Sequence, residues 1–365
     1  MSEKYFSELK EWSARKHELL IAYLKGFTRI LGGATGLVYY VDGFAGPGLY
    51  GDGQKGSPLI AAEYARSLIG KHYTLNCINI ELGQDLYNNL VQNTVSFHLV
   101  TTNLCGSFAD HIDDVIKRIG DRPTIFFIDP FGIKGIEWRH ISKALTRPHI
   151  TELLVRVNQN DIERLAGFFD SGGQGAASKL DLLRELYGLP NLNLLEQVWK
   201  AEKGDGLAKL YMKRIDQEMT LSNKLVYVHK YPIRAIEGST KYYLVFATRH
   251  PKGAILMNDT IYNREENYDR DREAYEFKKK PQISLFDLRD LLPPKEDELK
   301  EDIWQSFKGK SVSRFIIREA MLQKWFGRVK GTHFTNVLND MKDEGLIINL
   351  SGPPSQDDTL IVFKA

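Results

Sequence analysis

Asp42-Gly43-Phe44-Ala45-Gly46-Pro47-Gly48 follows directly on the apolar run Leu37 to Val41. A run of this kind that stops in glycines marks a strand passing into a loop. Glycines there let the backbone approach a ligand and tolerate positive φ. The spacing is not the G-x-G-x-x-G of a dinucleotide site, and the next stretch is not a phosphate-binding loop, because Lys55 precedes Gly56-Ser57. A tight turn that holds no ligand is the plainer alternative.

Four further apolar runs repeat the design. Leu75 to Ile80 ends in Glu81, Phe97 to Val100 in Thr101-Thr102-Asn103, Thr124 to Ile128 in Asp129-Pro130, and Leu153 to Val157 in Asn158. Continuous rather than alternating runs suit strands covered on both faces, as in a parallel sheet. Helical patterns lie between them, at Leu59 to Leu68, Asp85 to Gln92, Phe108 to Ile119 and Glu137 to Leu145. Upstream, Trp12, Leu19, Leu20, Tyr23, Leu24, Phe27, Ile30 and Leu31 form the stripe of an N-terminal helix that Gly32-Gly33 stops. Downstream, residues from about 159 to 222 are helical in tone and read as an insertion. Leu225 to Tyr231 and Tyr242 to Ala247 then read as an antiparallel pair. Five parallel-type strands followed by such a pair is the element order of class I methyltransferases. The expected fold is therefore α/β, a Rossmann-like class I methyltransferase sheet with a helical insertion, over residues 1–262.

From Arg264 to Lys280, 12 of 17 residues are charged, and Pro281 and Pro293-Pro294 follow. Residues 263–283 thus read as a charged linker or exposed helix. Residues 284–365 read as a winged-helix domain. Its helices are expected at Glu298 to Phe307, Val312 to Trp325 and Thr332 to Glu344, with a ribbon of Leu346 to Leu350 and Thr359 to Phe363. Between Lys308 and His333 seven cations face Glu319 alone, a local charge of +6.

The whole chain has 365 residues, net charge +2 and 42% hydrophobic residues. That excludes a histone-like wrapper and an acidic disordered chain. Cys77 and Cys105 are not in C-x-x-C spacing and read as two buried thiols in a reducing cytoplasm. The nine histidines show no metal-ligand spacing, so no metal is expected. His17 and His250 could reach a pocket, although a lone histidine is more often structural. Met1 to Lys10 has no apolar signal core, and no apolar stretch nears the roughly 18–20 residues that span a bilayer. A cytoplasmic protein without a membrane partner is expected.

The opening glycine stretch resembles the D-x-F-A-G-x-G form of motif I in S-adenosylmethionine-dependent nucleic-acid methyltransferases. The resemblance makes Asp42, Gly43, Phe44, Ala45, Gly46 and Gly48 candidate residues for that cofactor. Glu81, at a strand end, can accept both ribose hydroxyls; it lies 39 residues beyond Asp42, a gap the inserted Gly51, Gly53 and Gly56 explain. An exposed strand-end carboxylate is its bland reading. Asn103 and Ser107 are weaker candidates for adenine contacts.

Asp129-Pro130-Phe131-Gly132 resembles motif IV of amino-group methyltransferases, and more closely the D-P-F-G form of a tRNA guanine-N2 methyltransferase family. An exocyclic amine would donate to the Asp129 carboxylate and the Pro130 carbonyl, fixing its nitrogen in line with the sulfonium methyl. Phe131 would offer a stacking face to a flipped base. One proline stands where the family pattern has two. The bland reading is a strand-end turn. No Pro-Cys follows the fourth strand, which disfavours a covalent cysteine mechanism. In the C-terminal part, Lys324, Arg328, Lys330 and His333 precede or open the third helix, where recognition helices meet DNA; a docking module or a solvated face is the alternative.

Several segments in order resemble the three-Cys-motif partner protein (TcmP) family of bacteria and phages. They are Lys16-His17-Glu18-Leu19-Leu20, Tyr40 to Gly48 with Gly56-Ser57-Pro58, Phe127 to Gly132, and Tyr243 to Ala247. The resemblance implies a methyltransferase-like fold and a partner with three clustered cysteines, similar to radical S-adenosylmethionine proteins. Two functions follow as expectations. One is methylation of an exocyclic amine of a nucleobase in DNA or RNA. The other is a non-catalytic adaptor that binds nucleic acid or the partner protein.

Overall fold

A computed structural model describes residues 6–220, 225–279 and 296–365, with the side chains of 277–279 excepted. Pro281, Pro293-Pro294, the last four residues of the expected linker and the first twelve of the expected C-terminal domain lie outside the described residues, as do residues 221–222 of the insertion. The chain divides into two compact units, Met1–His250 and Pro251–Ala365.

The first unit opens with α1 (Glu11–Phe27), then alternates β1 (Leu37–Asp42), α2 (Ser57–Arg66), β2 (Thr74–Glu81), α3 (Gln84–Thr94), β3 (Thr101–Cys105), α4 (Phe108–Ile119), β4 (Thr124–Ile128), α5 (Trp138–Leu145) and β5 (Thr151–Val157). Helices α6 (Gln159–Ala166), α7 (Ala176–Tyr187) and α8 (Asn193–Met219) follow, then β6 (Tyr227–Arg234) and β7 (Thr240–Thr248). The strands form one sheet in the order β3-β2-β1-β4-β5-β7-β6. Strands β1 to β5 pair in parallel, and β7 runs antiparallel to both β5 and β6. Every residue of β4 is buried, so its sequence Thr-Ile-Phe-Phe-Ile needs no polar face.

The chain leaves β1 toward β2 on one side and reaches β4 on the other. This reversal opens a crevice at the carboxyl ends of β1 and β4, where ligands of such sheets lie. Helix α4 shows how the cover is built. Its buried Phe108, Ile112, Val115 and Ile119 recur at helical spacing, and Ser107 with Asp110 closes its first turn in a reciprocal cap. Helices α6 to α8 join the same core: Leu183, Tyr187, Leu207, Tyr211 and Ile215 pack with Trp138 and Ile141.

One strand lies later than its apolar run. Phe97 to Val100 forms a short helical turn and bend, and β3 begins at Thr101. β3 is the sheet edge and only partly covered, so it carries no continuous apolar signal. Of the apolar residues in that run, Phe97 and Val100 are buried by the turn, and Leu99 is 73% exposed. The same edge exposes Cys105, so only Cys77 is a buried thiol.

The second unit begins with α9 (Pro251–Lys279), so the charge-rich stretch up to Lys279 is the later part of a continuous helix. It continues with α10 (Glu296–Phe307), β8 (Ser311–Ser313), α11 (Arg314–Trp325), α12 (Gly331–Asp343), β9 (Ile347–Leu350) and β10 (Leu360–Phe363). The ribbon has three antiparallel strands, β8-β10-β9, rather than two. Trp325, Phe334, Leu338, Met341 and Phe363 lie in its core. Among the described residues, no helix is long and apolar enough to cross a membrane.

Candidate active site

The site has two halves, one at the end of β1 and one at the end of β4. At β1 the backbone of the glycine loop is stitched to both neighbouring strands. Gly43 donates its N–H to the Phe127 carbonyl of β4 at 3.0 Å, and Ala45 donates to the Ile80 carbonyl of β2 at 2.9 Å. A Cβ on Gly43 would lie 2.9 Å from Ile128 Cδ1 and 3.0 Å from the Phe108 ring, so the side chains packed on the loop would have to shift to admit one. Gly46 has φ +66°, which again favours glycine.

Asp42 is fully buried under this loop. Its carboxylate accepts from Ser57 Oγ at 2.6 Å, from Tyr40 Oη at 2.9 Å and from the Phe44 N–H at 3.2 Å. Burial pushes its carboxyl up to about 6, against the pull of Ser57, Tyr40 and Phe44. These partners make Asp42 an internal fastener between β1, the loop and the start of α2. Glu81 closes the loop from the other side. It accepts from the Gly46 N–H at 2.8 Å and the Gly83 N–H at 2.7 Å, one on each oxygen. Each oxygen keeps capacity for a second donor.

At the end of β4, Asp129 is half of a buried ionic cluster. Its Oδ2 accepts from Lys16 Nζ of α1, and its Oδ1 faces Arg156 Nη1 of β5 at 3.6 Å. The Lys16 side chain is 2% exposed and that of Asp129 15%. Burial alone would push the Asp129 carboxyl up, but Lys16 first and Arg156 second outweigh it, so the group is held below its ordinary value. Beside them His17 is buried, and its imidazole is pushed down to about 3 by burial and by the Lys16 charge. It is therefore neutral. The two halves meet where Phe44 approaches the loop after β4: a Cβ on Gly135 would lie 3.3 Å from its ring.

Pro130 is buried, and Phe131 is 46% exposed. The Phe131 ring meets Phe6 edge to face at 5.3 Å. Phe6 also covers Gly46, where a Cβ would approach its ring to 2.7 Å, and its carbonyl accepts from the Gly51 N–H at 2.7 Å. The Leu9 N–H donates to Asp52 at 2.9 Å, so Asp52 ties the segment before α1 to the loop.

Asn103 lies in the middle of β3, opposite Asn79. It accepts from Asn79 Nδ2 at 2.9 Å and donates to Thr94 Oγ1 at 2.7 Å, a network internal to the sheet and α3. Ser107 caps α4.

Neither Lys16, which stands in the Lys16-His17-Glu18-Leu19-Leu20 segment, nor Arg156 is a site candidate in the sequence. Each left a signal. Lys16 falls four residues from Trp12 and from Leu20, on the buried stripe of α1. Arg156 interrupts an otherwise buried strand. A cation on a buried face calls for a buried partner.

In the second unit the four basic candidates are spread over different partners. Lys324 pairs with Asp302 at 2.7 Å, and Lys330 pairs with Glu266 at 2.9 Å. His333 accepts from the Lys330 N–H at 3.2 Å and lies 3.3 Å from Tyr262 Oη. Arg328 is exposed and lies over the Trp325 ring at 4.8 Å. Arg314 and Arg318, counted in the local charge of +6, are buried; both pair with Asp357, and Arg318 also with Asp259 at 2.7 Å.

No protein-family model and no curated protein matches the chain. Among solved structures, protein LPL1258 of Legionella pneumophila is similar at 13% identity and TM-score 0.38, over 66% of this chain and 86% of that one. An O-methyltransferase of Bacillus cereus in complex with S-adenosylhomocysteine gives 12% identity and TM-score 0.35, over 66% and 82%. The O-methyltransferase TomG of Streptomyces achromogenes in complex with S-adenosylmethionine gives 13% and 0.34, over 67% and 94%. The strand order rather than these distant likenesses defines the class: the first unit has a methyltransferase-like α/β fold.

Proposed function

We propose that the chain is an S-adenosylmethionine-dependent methyltransferase that acts on an exocyclic amine of a nucleobase in DNA or RNA. One observation carries this reading: the glycine loop after β1 and Asp129 after β4 share one crevice, and the Oδ1 of Asp129 is buried with no hydrogen-bond donor. A buried acceptor without a donor calls for an explanation. An incoming amine N–H supplies one.

The residues fit the cofactor. Closely packed glycines keep the loop against the strand ends, Gly43 bonded to β4, and Glu81 stands at the neighbouring strand end. Gly43 to Gly48 would hold the methionine portion and Glu81 the ribose hydroxyls. When bound, the cofactor supplies an electrophilic methyl group. Asp129 and the Pro130 carbonyl would orient the amine, and Phe131 would stack on the base.

The three-Cys-motif partner remains part of the proposal on the strength of the sequence resemblance. In the winged-helix reading of the second unit, Arg328 is the cation best placed for a phosphate, because Lys324 and Lys330 already face carboxylates. A second reading, a non-catalytic adaptor, is favoured by the two cations that already face Asp129. Transfer of labelled methyl from S-adenosylmethionine to a panel of DNA and RNA oligonucleotides separates the two. Transfer lost in Asp129→Ala, with cofactor binding retained, supports the enzyme. Capture of nucleic acid or partner that survives Asp42→Ala and Asp129→Ala, with no transfer by the unaltered protein, supports the adaptor.

A further inference from the structure

Lys16 lies in the Lys16-His17-Glu18-Leu19-Leu20 segment, which carries no role in the sequence reading, yet it is the most buried cation at the site. A lysine ammonium away from water is costly unless it is paired and hydrogen-bonded. Here it meets Asp129 Oδ2. Arg156, from β5, stays 3.6 Å from Oδ1, too far for a hydrogen bond. The carboxylate is thus gripped at one oxygen, while the other is buried without a donor. The leading charged and titratable groups that act on it are Lys16 and His17 from α1, Arg156 from β5, and Asp42 from β1.

Resting on the methyltransferase reading, we infer that Lys16 is the positioning residue of the acceptor site. Its ammonium fixes Oδ2 of Asp129 and so reserves Oδ1 for an N–H donor of the methyl acceptor. The acceptor class follows from the vacant atom. A neutral amine brings the donor that Oδ1 lacks, whereas a carboxylate or phosphate would set like charge against Asp129. Lys16 itself touches no reacting atom in this arrangement.

The test uses the full chain with 13C-carboxyl aspartate, the Asp129 signal being identified by its loss in Asp129→Asn. In the unaltered protein the signal stays ionised below the ordinary aspartate range. In Lys16→Met it titrates roughly 1–3 pH units higher. In Lys16→Arg it returns toward the unaltered value. The acid limb of kcat/KM for methyl transfer moves upward with it, while the calorimetric affinity for S-adenosylhomocysteine is unchanged. A folded Lys16→Met whose carboxyl titrates as in the unaltered protein overturns the inference. A shifted carboxyl with an unshifted transfer profile also overturns it, since that marks a merely structural ion pair. If Lys16→Met does not fold, Lys16→Gln, which also removes the charge, decides on the same two readouts. Failure of the methyltransferase reading is seen separately, in unaltered protein that binds no cofactor and transfers no methyl group; the acceptor role of Lys16 falls with it.

Discussion

Asp42 and Asp129 end neighbouring parallel strands, and their surroundings are opposite. Asp42 is enclosed by neutral donors, Ser57, Tyr40 and the Phe44 N–H, and its carboxyl rises to about 6. Asp129 is enclosed by Lys16 and Arg156, and its carboxyl falls. Asp42 is fully buried and Asp129 mostly so, and burial pushes both carboxyls up, so burial is not what separates them. The sign of the neighbours does. Two titratable groups pushed apart in this way divide the work of a site. Asp42 shapes the glycine loop, and Asp129 offers a permanent negative charge beside it.

The comparison breaks most completely if Asp129 is removed. Asp129→Ala is expected to lower methyl transfer by about 10²–10³-fold, the scale of losing one oriented polar contact at a reacting group. Single-turnover assays with S-adenosylmethionine and an unmethylated oligonucleotide acceptor check this. Next comes Lys16→Met, which strands a buried carboxylate. It is expected to cost about 3–5 kcal/mol in urea unfolding, with much of the loss recovered in Lys16→Met combined with Asp129→Asn.

The pH dependence sharpens the contrast. A carboxyl raised on folding gives stability that is full below its unfolded value and lost as pH rises to about 6. Asp42→Asn should therefore flatten the decline between pH 4 and pH 6, by up to roughly 3 kcal/mol. Asp129 has the opposite sign: its contribution is present above the unfolded value and lost as pH falls. Urea midpoints across that range for both variants check the two signs together. The smallest effect is expected for Phe6→Ala, which removes the edge-to-face contact with Phe131 and the cover over Gly46. It should cost about 1 kcal/mol and should raise exchange at the Gly51 amide, which Phe6 holds.

Most of the sheet was legible because buried parallel strands are written as unbroken apolar runs, each closed by a polar or glycine stop. β4 appears in the sequence with the bounds it has in the structure. β3 did not, because an edge strand needs no such run, and the helical turn before it, with Phe97, Leu99 and Val100, supplied a misleading one. β8, three residues long, is defined by its pairing with β10 and leaves no local pattern.

The site was legible to the same degree. Asp42, Glu81 and Asp129 stand at strand ends, where position alone marks them. Their roles depend on partners far along the chain. Lys16 lies 113 residues from Asp129, and no local motif joins them. Charge counting in the second unit failed for the same reason. Arg314 and Arg318 face inward to Asp357, which lies outside the stretch that was counted.

The central claim is that the crevice between Gly43–Gly48 and Glu81 holds the cofactor while Asp129 serves the acceptor. Titration calorimetry with S-adenosylhomocysteine addresses it most directly. The account expects saturable one-site binding by the full chain, abolished in Glu81→Ala and retained in Asp129→Ala. Absence of binding by the unaltered protein, or binding indifferent to Glu81→Ala, would contradict it.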